Sequence, residues 1–219
     1  MDETVEWVDA QARVIALVRE LDQQAAEQRV PACPDWTVRD LLSHMVGLGV
    51  DVLAGDEPND HNATWTQRQV DQRRGRSVAD LVAEWESVTE PMTAYFRERS
   101  SRPLGDLVIH EQDLRGALGV PGAQDTAGLA AIRDRMLRRF AASAAGRPPI
   151  ALVGPRWGWT SGDGEPAVVV QAPDFDLARA LMARRSAAQL RAWTTKGDVD
   201  AYLPAFATLG RLPERDLRE

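Results

Sequence analysis

Helical periodicity runs through the first two thirds of the chain and then stops, and this pattern most constrains the fold. Apolar residues recur at intervals of three and four, with charged residues between them, as on amphipathic helices. The pattern predicts helices over residues 4–27, 38–53, 77–99, 103–118 and 127–144. Because most of the connections are short, we expect an antiparallel four-helix bundle in this part of the chain.

Local signals mark where the helices begin. Thr37 is a predicted N-cap, and Ser77, followed three residues later by an acid, resembles a capping box. Pro103 is a favoured first-turn residue. Residues 54–76 are polar and are predicted as a long loop with one helical turn near Trp65. Loops of this kind often border functional sites.

The sequence changes character after residue 146. A Gly-Arg-Pro-Pro run ends the helical periodicity, and short β-rich segments separated by glycine-rich turns follow it. They predict a small antiparallel sheet with strands at residues 150–153, 157–160 and 167–171. Helical patterns return at residues 175–183, 186–193 and 199–209. We therefore expect an α+β protein with a helical domain at 1–147 and a small α/β domain at 148–219.

Composition excludes several classes of protein. With 219 residues, 44% of them hydrophobic, the chain can bury a core. A formal charge of −7 gives no reason to expect binding to nucleic acid or to anionic membranes. No apolar run approaches the roughly 20 residues of a membrane span, and the first nine residues carry acids where a secretory signal carries bases. The single Cys33 excludes an intrachain disulfide. We expect a cytoplasmic protein, monomeric or dimeric.

Two of the three histidines lie on predicted helices and point toward the predicted bundle interior. Asp106 and His110 are four residues apart on one face of a helix, and His44 borders the apolar stripe of another. Burying two imidazoles and a carboxylate costs several kcal/mol, and a bound cation removes that cost. Three nitrogen and oxygen ligands suit Zn²⁺ with an open fourth position, although nickel, manganese or iron accept the same ligand types.

Spacing alone leaves other interpretations of these residues open. An Asp and a His four residues apart are more often a surface pair or a core hydrogen bond than a metal site. If a metal binds, Asp113 is the better placed of two nearby acids, Glu111 being the other, to accept a hydrogen bond from a ligand imidazole. Cys33, between two prolines, is interpreted as a packed turn residue, and His61 is expected to be exposed in the polar loop.

Two motifs extend the argument. The run PACPDWTVRDLLSHMVG from Pro31 and the run GDLVIHEQDLRGALG from Gly105 resemble the mycothiol-dependent maleylpyruvate isomerase family, a branch of the DinB-like superfamily. The stretch between them is also similar to that family, through Trp65, Gln69, Arg73 and Trp85. Residues 157–189 resemble the family's second domain, a unit similar to sterol-carrier proteins.

The resemblance implies a zinc site with His44, Asp106 and His110 as ligands, where Asp106 takes the place of a glutamate usual in the isomerases. It also implies a low-molecular-weight thiol, mycothiol, as co-substrate. A thiol at the open metal position is deprotonated and could add to an electrophilic double bond. The expected activity is therefore thiol transfer to a small electrophile, or its cis/trans isomerisation.

Arginine and tryptophan side chains outside the three candidate ligands could also contribute to binding. Arg184, Arg185 and Arg191 are candidates for holding the thiol cofactor, against the simpler interpretation that they are solvated helix charges. Trp36, Trp65 and Trp85 could line a substrate pocket, although most tryptophans are expected in the core or at its rim.

The alternative function is a non-catalytic, metal-stabilised ligand-binding or stress-response module, which would have a closed metal coordination sphere.

Overall fold

The chain forms two compact units of different composition. The computed structural model describes residues 1–60 and 62–218. We call residues 1–123 the helical unit and residues 124–218 the mixed unit. Helices and two sheets together confirm the α+β class predicted from the sequence. The division lies before the predicted boundary near residue 147, because the long helix Ala127–Ala144 packs on helices of the mixed unit.

The helical unit is built around a closed ring of packed helices. Its helices are α1 (Glu3–Val18), α2 (Gln23–Ala26), α3 (Val38–Leu53), α4 (Ala63–Gln72), α5 (Val78–Ser87), α6 (Thr89–Glu98) and α7 (Arg102–Leu118). A two-stranded antiparallel hairpin, β1 (Arg29–Val30) with β2 (Cys33–Thr37), precedes α3. α1 packs on α7, and α7 packs on α3. α3 packs on α5, and α6 packs on α1. The consecutive helices α5 and α6 together therefore take the place of one helix in a four-helix bundle. Among the described residues, no helix is both long and apolar enough to cross a bilayer.

The helix-start signals predicted from sequence are present. Thr37 and Asp40 form a capping box at the start of α3, and Ser77 and Asp80 form one at the start of α5. Each box satisfies two backbone N–H groups that a helix start would otherwise leave without a partner. Gly119 ends α7 in the left-handed conformation, with φ of 65°, which glycine adopts without steric cost.

Three stretches of the helical unit differ from prediction. The helix expected over residues 4–27 ends at Val18, because Asp22 caps a separate short helix by accepting from the Ala25 N–H. The helix expected over residues 77–99 is divided at Val88 into the two helices α5 and α6. The polar segment 54–76 contains the ten-residue α4, far more than one turn. The hairpin before α3 was not predicted.

The mixed unit combines a four-stranded sheet with helices. Its elements are α8 (Ala127–Ala144), β3 (Ile150–Val153), β4 (Gly158–Thr160), β5 (Val168–Gln171), α9 (Asp174–Leu181), α10 (Ala187–Ala192), β6 (Thr194–Lys196), a 3₁₀ turn (Asp200–Tyr202) and α11 (Leu203–Phe206). The strand order is β4-β3-β5-β6. The prediction of a purely antiparallel sheet was wrong for one pair, because β3 and β5 run parallel while the other neighbours are antiparallel.

The core of the mixed unit lies against α8. α8 packs on α9 and α11, and Phe140 of α8 lies with its ring centroid 4.7 Å from Phe206 and 5.7 Å from Trp159. Such aromatic contacts add to the apolar area removed from water. Three consecutive residues of the central strand β3 are buried, so both faces of this strand are covered.

Candidate metal centre

Two adjacent helices of the helical unit supply the candidate ligands. His44 is on α3, next to the buried Leu41 and Met45, and is only 2% exposed. Asp106 and His110 are one turn apart on α7, which packs on α3, and their side chains are 16% and 12% exposed. Regular helix geometry therefore fixes the pair on α7, and bundle packing brings His44 to it.

The three side chains converge on one point. Nε2 of His44 lies 3.1 Å from Oδ1 of Asp106, and Nε2 of His110 lies 3.2 Å from the same oxygen. One donor atom from each residue falls within 4.8 Å of the other two. The two imidazoles meet edge to face, with ring centroids 5.1 Å apart. These are nitrogen and oxygen donors of the kind that a divalent ion takes up.

The remaining nitrogen of each imidazole is held by a second residue. Nδ1 of His110 lies 2.9 Å from Oδ2 of Asp113, and Nδ1 of His44 lies 2.7 Å from Oε1 of Gln69. Metal-binding histidines usually donate their other ring N–H in this way, which fixes the ring and directs its lone pair. The residues therefore fit a metal ion. Asp113 stands where the sequence predicted an outer partner, whereas Gln69 was not predicted as one.

The charges in this cluster strongly perturb one another. Burial raises the pKa of Asp106, but the attraction of His44 and His110 outweighs burial and holds that pKa well below its usual range. Burial lowers the pKa of His110, but the attraction of Asp106 and the hydrogen bonds that His110 makes to Asp106, Asp113 and Cys33 outweigh burial and hold this pKa well above its usual range. In the metal-free protein His110 is therefore an imidazolium beside a carboxylate, and a divalent cation can replace its proton.

These opposite shifts predict a pH dependence of the metal-free protein. His110 has a raised pKa, so its contribution to stability is complete below about pH 6.5, its unfolded value, and is lost as the pH rises through the folded value. Asp106 has a lowered pKa, so its contribution is present above about pH 4 and is lost on acidification. We expect urea midpoints of chelator-treated protein to decline from pH 6.5 upward. The decline should be absent in His110→Gln, and persistence there would contradict the assignment.

Cys33 lies close to the outer side of this cluster. Its Sγ is 3.7 Å from Oδ2 of Asp113, and the thiol also interacts with His110. Cys33, His110 and Asp113 are a second group whose donor atoms lie close enough to share an ion. Within that group, Asp113 contacts Nδ1 of His110, whereas Nε2 of His110 lies near Asp106. Cys33, predicted to be a packed turn residue, is the first residue of β2, and its proximity to His110 was not predicted.

The predicted tryptophans occupy different environments. Trp36 is half-buried and lies against His44, with ring centroids 5.0 Å apart. Trp65 is buried and donates its indole N–H to the Asp56 carbonyl. Trp85 is 1% exposed and lines, together with Asp106, a cavity of about 10 Å³. This volume is no larger than one water molecule needs. Trp36 is therefore in contact with a candidate ligand.

The arginines suggested for cofactor binding lie in the mixed unit. Arg185 is buried and pairs with Asp176, with Nη2 to Oδ1 at 2.8 Å. Arg184 donates to the Met182 carbonyl, and the exposed Arg191 pairs with Asp200. A cofactor role for these arginines stays a prediction. His61 lies outside the described residues.

Known proteins resemble this chain in sequence and in fold. Residues 7–115, which include all three candidate ligands, match the family model described as the mycothiol maleylpyruvate isomerase N-terminal domain. The crystal structure of a histidine-to-alanine mutant of mycothiol-dependent maleylpyruvate isomerase superposes with a TM-score of 0.57 at 12% sequence identity. The match covers 83% of this chain and 88% of the other, and shows a shared fold. No curated protein sequence matches the chain. Residues 7–115 are therefore a mycothiol maleylpyruvate isomerase N-terminal domain, and the chain belongs to that family.

Proposed function

We propose that this protein is a zinc-dependent enzyme that uses mycothiol to transfer a thiol to a small electrophile or to isomerise it. The observation that carries the proposal is the convergence of His44, Asp106 and His110 with both outer imidazole nitrogens engaged. Three protein ligands leave a fourth position open, which is typical of catalytic rather than structural zinc. The family match and the fold shared with a mycothiol-dependent isomerase support the choice of thiol and reaction.

The charge of the ligand set favours an anionic fourth ligand. Two neutral imidazoles and one carboxylate leave a divalent ion with one net positive charge in a largely buried setting. When bound, the ion would act as a Lewis acid that lowers the pKa of a thiol at the open position. His44, Asp106 and His110 hold the site, and Asp113 orients His110.

The chemistry of isomerisation fits a nucleophile supplied from outside the chain. The thiol sulfur adds to one carbon of a conjugated cis double bond, and the electron pair moves onto the carbonyl oxygen. Rotation follows about the resulting single bond. Return of the electron pair expels the same thiolate and leaves the trans isomer, so no thiol is consumed. If a proton is captured instead, the product is a thioether, which is thiol transfer.

Cys33, the only cysteine of the chain, is not the nucleophile in the proposed reaction. Cys33 lies beside Asp113, which contacts Nδ1 of His110, whereas Nε2 of His110 is the atom that lies near Asp106 and would face a metal ion. The external thiol would thus reach the reacting carbon without involving Cys33.

An assay of thiol transfer and isomerisation tests the proposal. The protein, purified without added metal, should contain about one zinc per chain and should act on maleylpyruvate or another activated alkene only when mycothiol is supplied. Cys33→Ala should keep at least half of this activity. Zinc that is released only on unfolding, with no thiol-dependent turnover of any alkene tested, would contradict the proposal and favour a structural metal. Loss of turnover in Cys33→Ala with zinc retained would also contradict it.

A further inference from the structure

We infer that Gln69 is a positioning residue, held by Asp51, which fixes the ring and tautomer of His44 for metal binding. The inference rests on the proposed function in one respect, that His44 is a metal ligand. Gln69 is fully buried, and its Oε1 lies 2.7 Å from Nδ1 of His44. Its Nε2 donates to Oδ2 of Asp51 at 2.8 Å. A single amide therefore links the candidate ligand to a carboxylate on the same helix α3.

The hydrogen-bonding chemistry gives this link a direction. A carboxylate only accepts hydrogen bonds, so the amide nitrogen of Gln69 faces Asp51 and its oxygen faces His44. An amide oxygen also only accepts, so Nδ1 of His44 carries the hydrogen. In the neutral ring the lone pair is then on Nε2, the atom that lies 3.1 Å from Asp106. The opposite tautomer would point an N–H at the metal.

Close packing between two helices holds Gln69 in this position. α4 packs on α3 at Gly47, one turn beyond His44. A Cβ at Gly47 would lie 2.6 Å from Cβ of Gln69 and 2.8 Å from Nη1 of Arg73, so only glycine allows this approach. The absence of a side chain at position 47 thus brings the backbone of α4 near enough for the amide to reach His44.

A buried arginine fixes the end of α4 as well. Arg73 donates from Nη1 to the backbone carbonyl of Gln69 at 3.2 Å. Its other guanidinium nitrogens donate to both carboxylate oxygens of Glu84 on α5, at 3.0 and 2.8 Å. Such paired bonds hold a side chain in one geometry. Gln69 is therefore anchored through its backbone, its amide nitrogen and the neighbouring helix.

The two ligand histidines differ in their outer partners. His110 donates directly to the Asp113 carboxylate, whereas His44 donates to a neutral amide whose charge-bearing partner, Asp51, is one hydrogen bond further away. A direct carboxylate increases the basicity of an imidazole ligand more than an amide does. The Gln69 link therefore orients His44 while adding less negative charge next to the ion than a second direct carboxylate would.

Zinc affinity of the full-length protein, measured by competition with a chromophoric chelator, tests the inference. Gln69→Met keeps the length of the side chain but removes the acceptor, and we expect it to bind zinc about 10–100-fold more weakly, as for other outer partners of metal-binding histidines. The visible spectrum of the Co²⁺-loaded protein should change with it. Gln72→Met makes the same change at an exposed position of α4 and should leave both measurements unchanged.

A double substitution separates positioning from packing. In Gln69→Glu the new carboxylate would face Asp51 at hydrogen-bond distance, and the repulsion should destabilise the protein. Combining Gln69→Glu with Asp51→Asn restores a donor at position 51 and keeps an acceptor for His44, so zinc affinity should return to the wild-type value or above it.

The outcomes distinguish this inference from the proposed function. If wild-type protein binds no zinc in the competition assay, the metal site itself is wrong. If the wild type binds zinc and Gln69→Met binds it equally with an unchanged Co²⁺ spectrum, Gln69 has only a structural role and the inference is overturned. Failure of the double variant to bind zinc more tightly than Gln69→Met would also overturn it.

Discussion

Asp106→Asn should bind zinc more than 100-fold more weakly than the wild type, and His110→Ala should do the same. Loss of an outer partner typically costs 10–100-fold in affinity, and loss of a ligand itself should exceed that. Asp106 contributes the one negative charge among the three candidate ligands and lies within 3.2 Å of both Nε2 atoms. Its amide replacement keeps the shape of the side chain and removes that charge, so two imidazoles remain to hold a divalent ion.

Ligand-induced stabilisation measures this loss without an enzyme assay. Zinc at 100 times its wild-type dissociation constant should stabilise the wild type by about 2.7 kcal/mol, and the same concentration should stabilise each variant by less than about 0.4 kcal/mol. Asp134→Asn changes an exposed aspartate that pairs with Arg133 and should respond to zinc as the wild type does. Undiminished stabilisation of Asp106→Asn by zinc would show that Asp106 is not a ligand.

The parts of the fold that sequence predicted well are those fixed by local interactions. α3 begins directly after its N-cap Thr37 because the capping box is complete within four residues, and its buried apolar residues recur as far as Val52. The helix carrying Asp106 and His110 was predicted for the same reason, since a proline opens it and Gly119 ends it. Helical spacing alone then placed these two side chains on one face.

The elements that sequence missed depend on distant contacts. α4 is largely polar, and only Trp65, Gln69 and Val70 are buried, so its apolar stripe is too short to distinguish it from a loop. β5 pairs with the edge of β3 that β4 does not occupy, and it runs parallel to β3 because the chain reverses direction between β4 and β5. The local sequence therefore determines neither the helical state of α4 nor the direction of β5.

In the candidate site, too, the contact between neighbours in sequence was predicted and the contact between distant residues was not. Asp113 follows His110 by three residues, so helix geometry predicts that the two side chains meet. Gln69 lies 25 residues from His44 and 18 from Asp51, and its contact with them depends on the approach of α4 at Gly47. The one available signal in the sequence was Gly47, one turn after His44. Until the position of α4 is known, this glycine does not indicate which residue packs against it.

Glu111 shows how a nearby acid can have a structural rather than a functional partner. It was a lesser candidate for the outer partner of His110, but its carboxylate accepts from Arg13 at 2.9 and 3.0 Å and from Arg115 at 3.0 and 3.2 Å. Its side chain is 2% exposed, whereas those of Arg13 and Arg115 are 27% and 12% exposed. The cluster joins α1 to α7 and neutralises charges that burial would otherwise destabilise.

Removing this carboxylate should therefore destabilise the helical unit strongly. We expect Glu111→Ala to lower the free energy of unfolding by about 3–5 kcal/mol, the usual cost of breaking a buried ion pair. Because water reaches Arg13, the loss should fall nearer the lower value. Chemical denaturation of the zinc-free protein gives this quantity, with amide hydrogen exchange in α1 and α7 locating the destabilised part.

An exposed ion pair of the same chemistry provides the control. Glu86 pairs with Arg19, but both side chains are at least half exposed, so Glu86→Ala should cost less than about 1 kcal/mol. If Glu111→Ala were as mild as Glu86→Ala, the two arginines would be solvated well enough without the carboxylate, and the cluster would not join α1 to α7. If instead Glu111→Ala lowered zinc affinity without lowering stability, Glu111 would act on the metal site through His110, one residue away along α7.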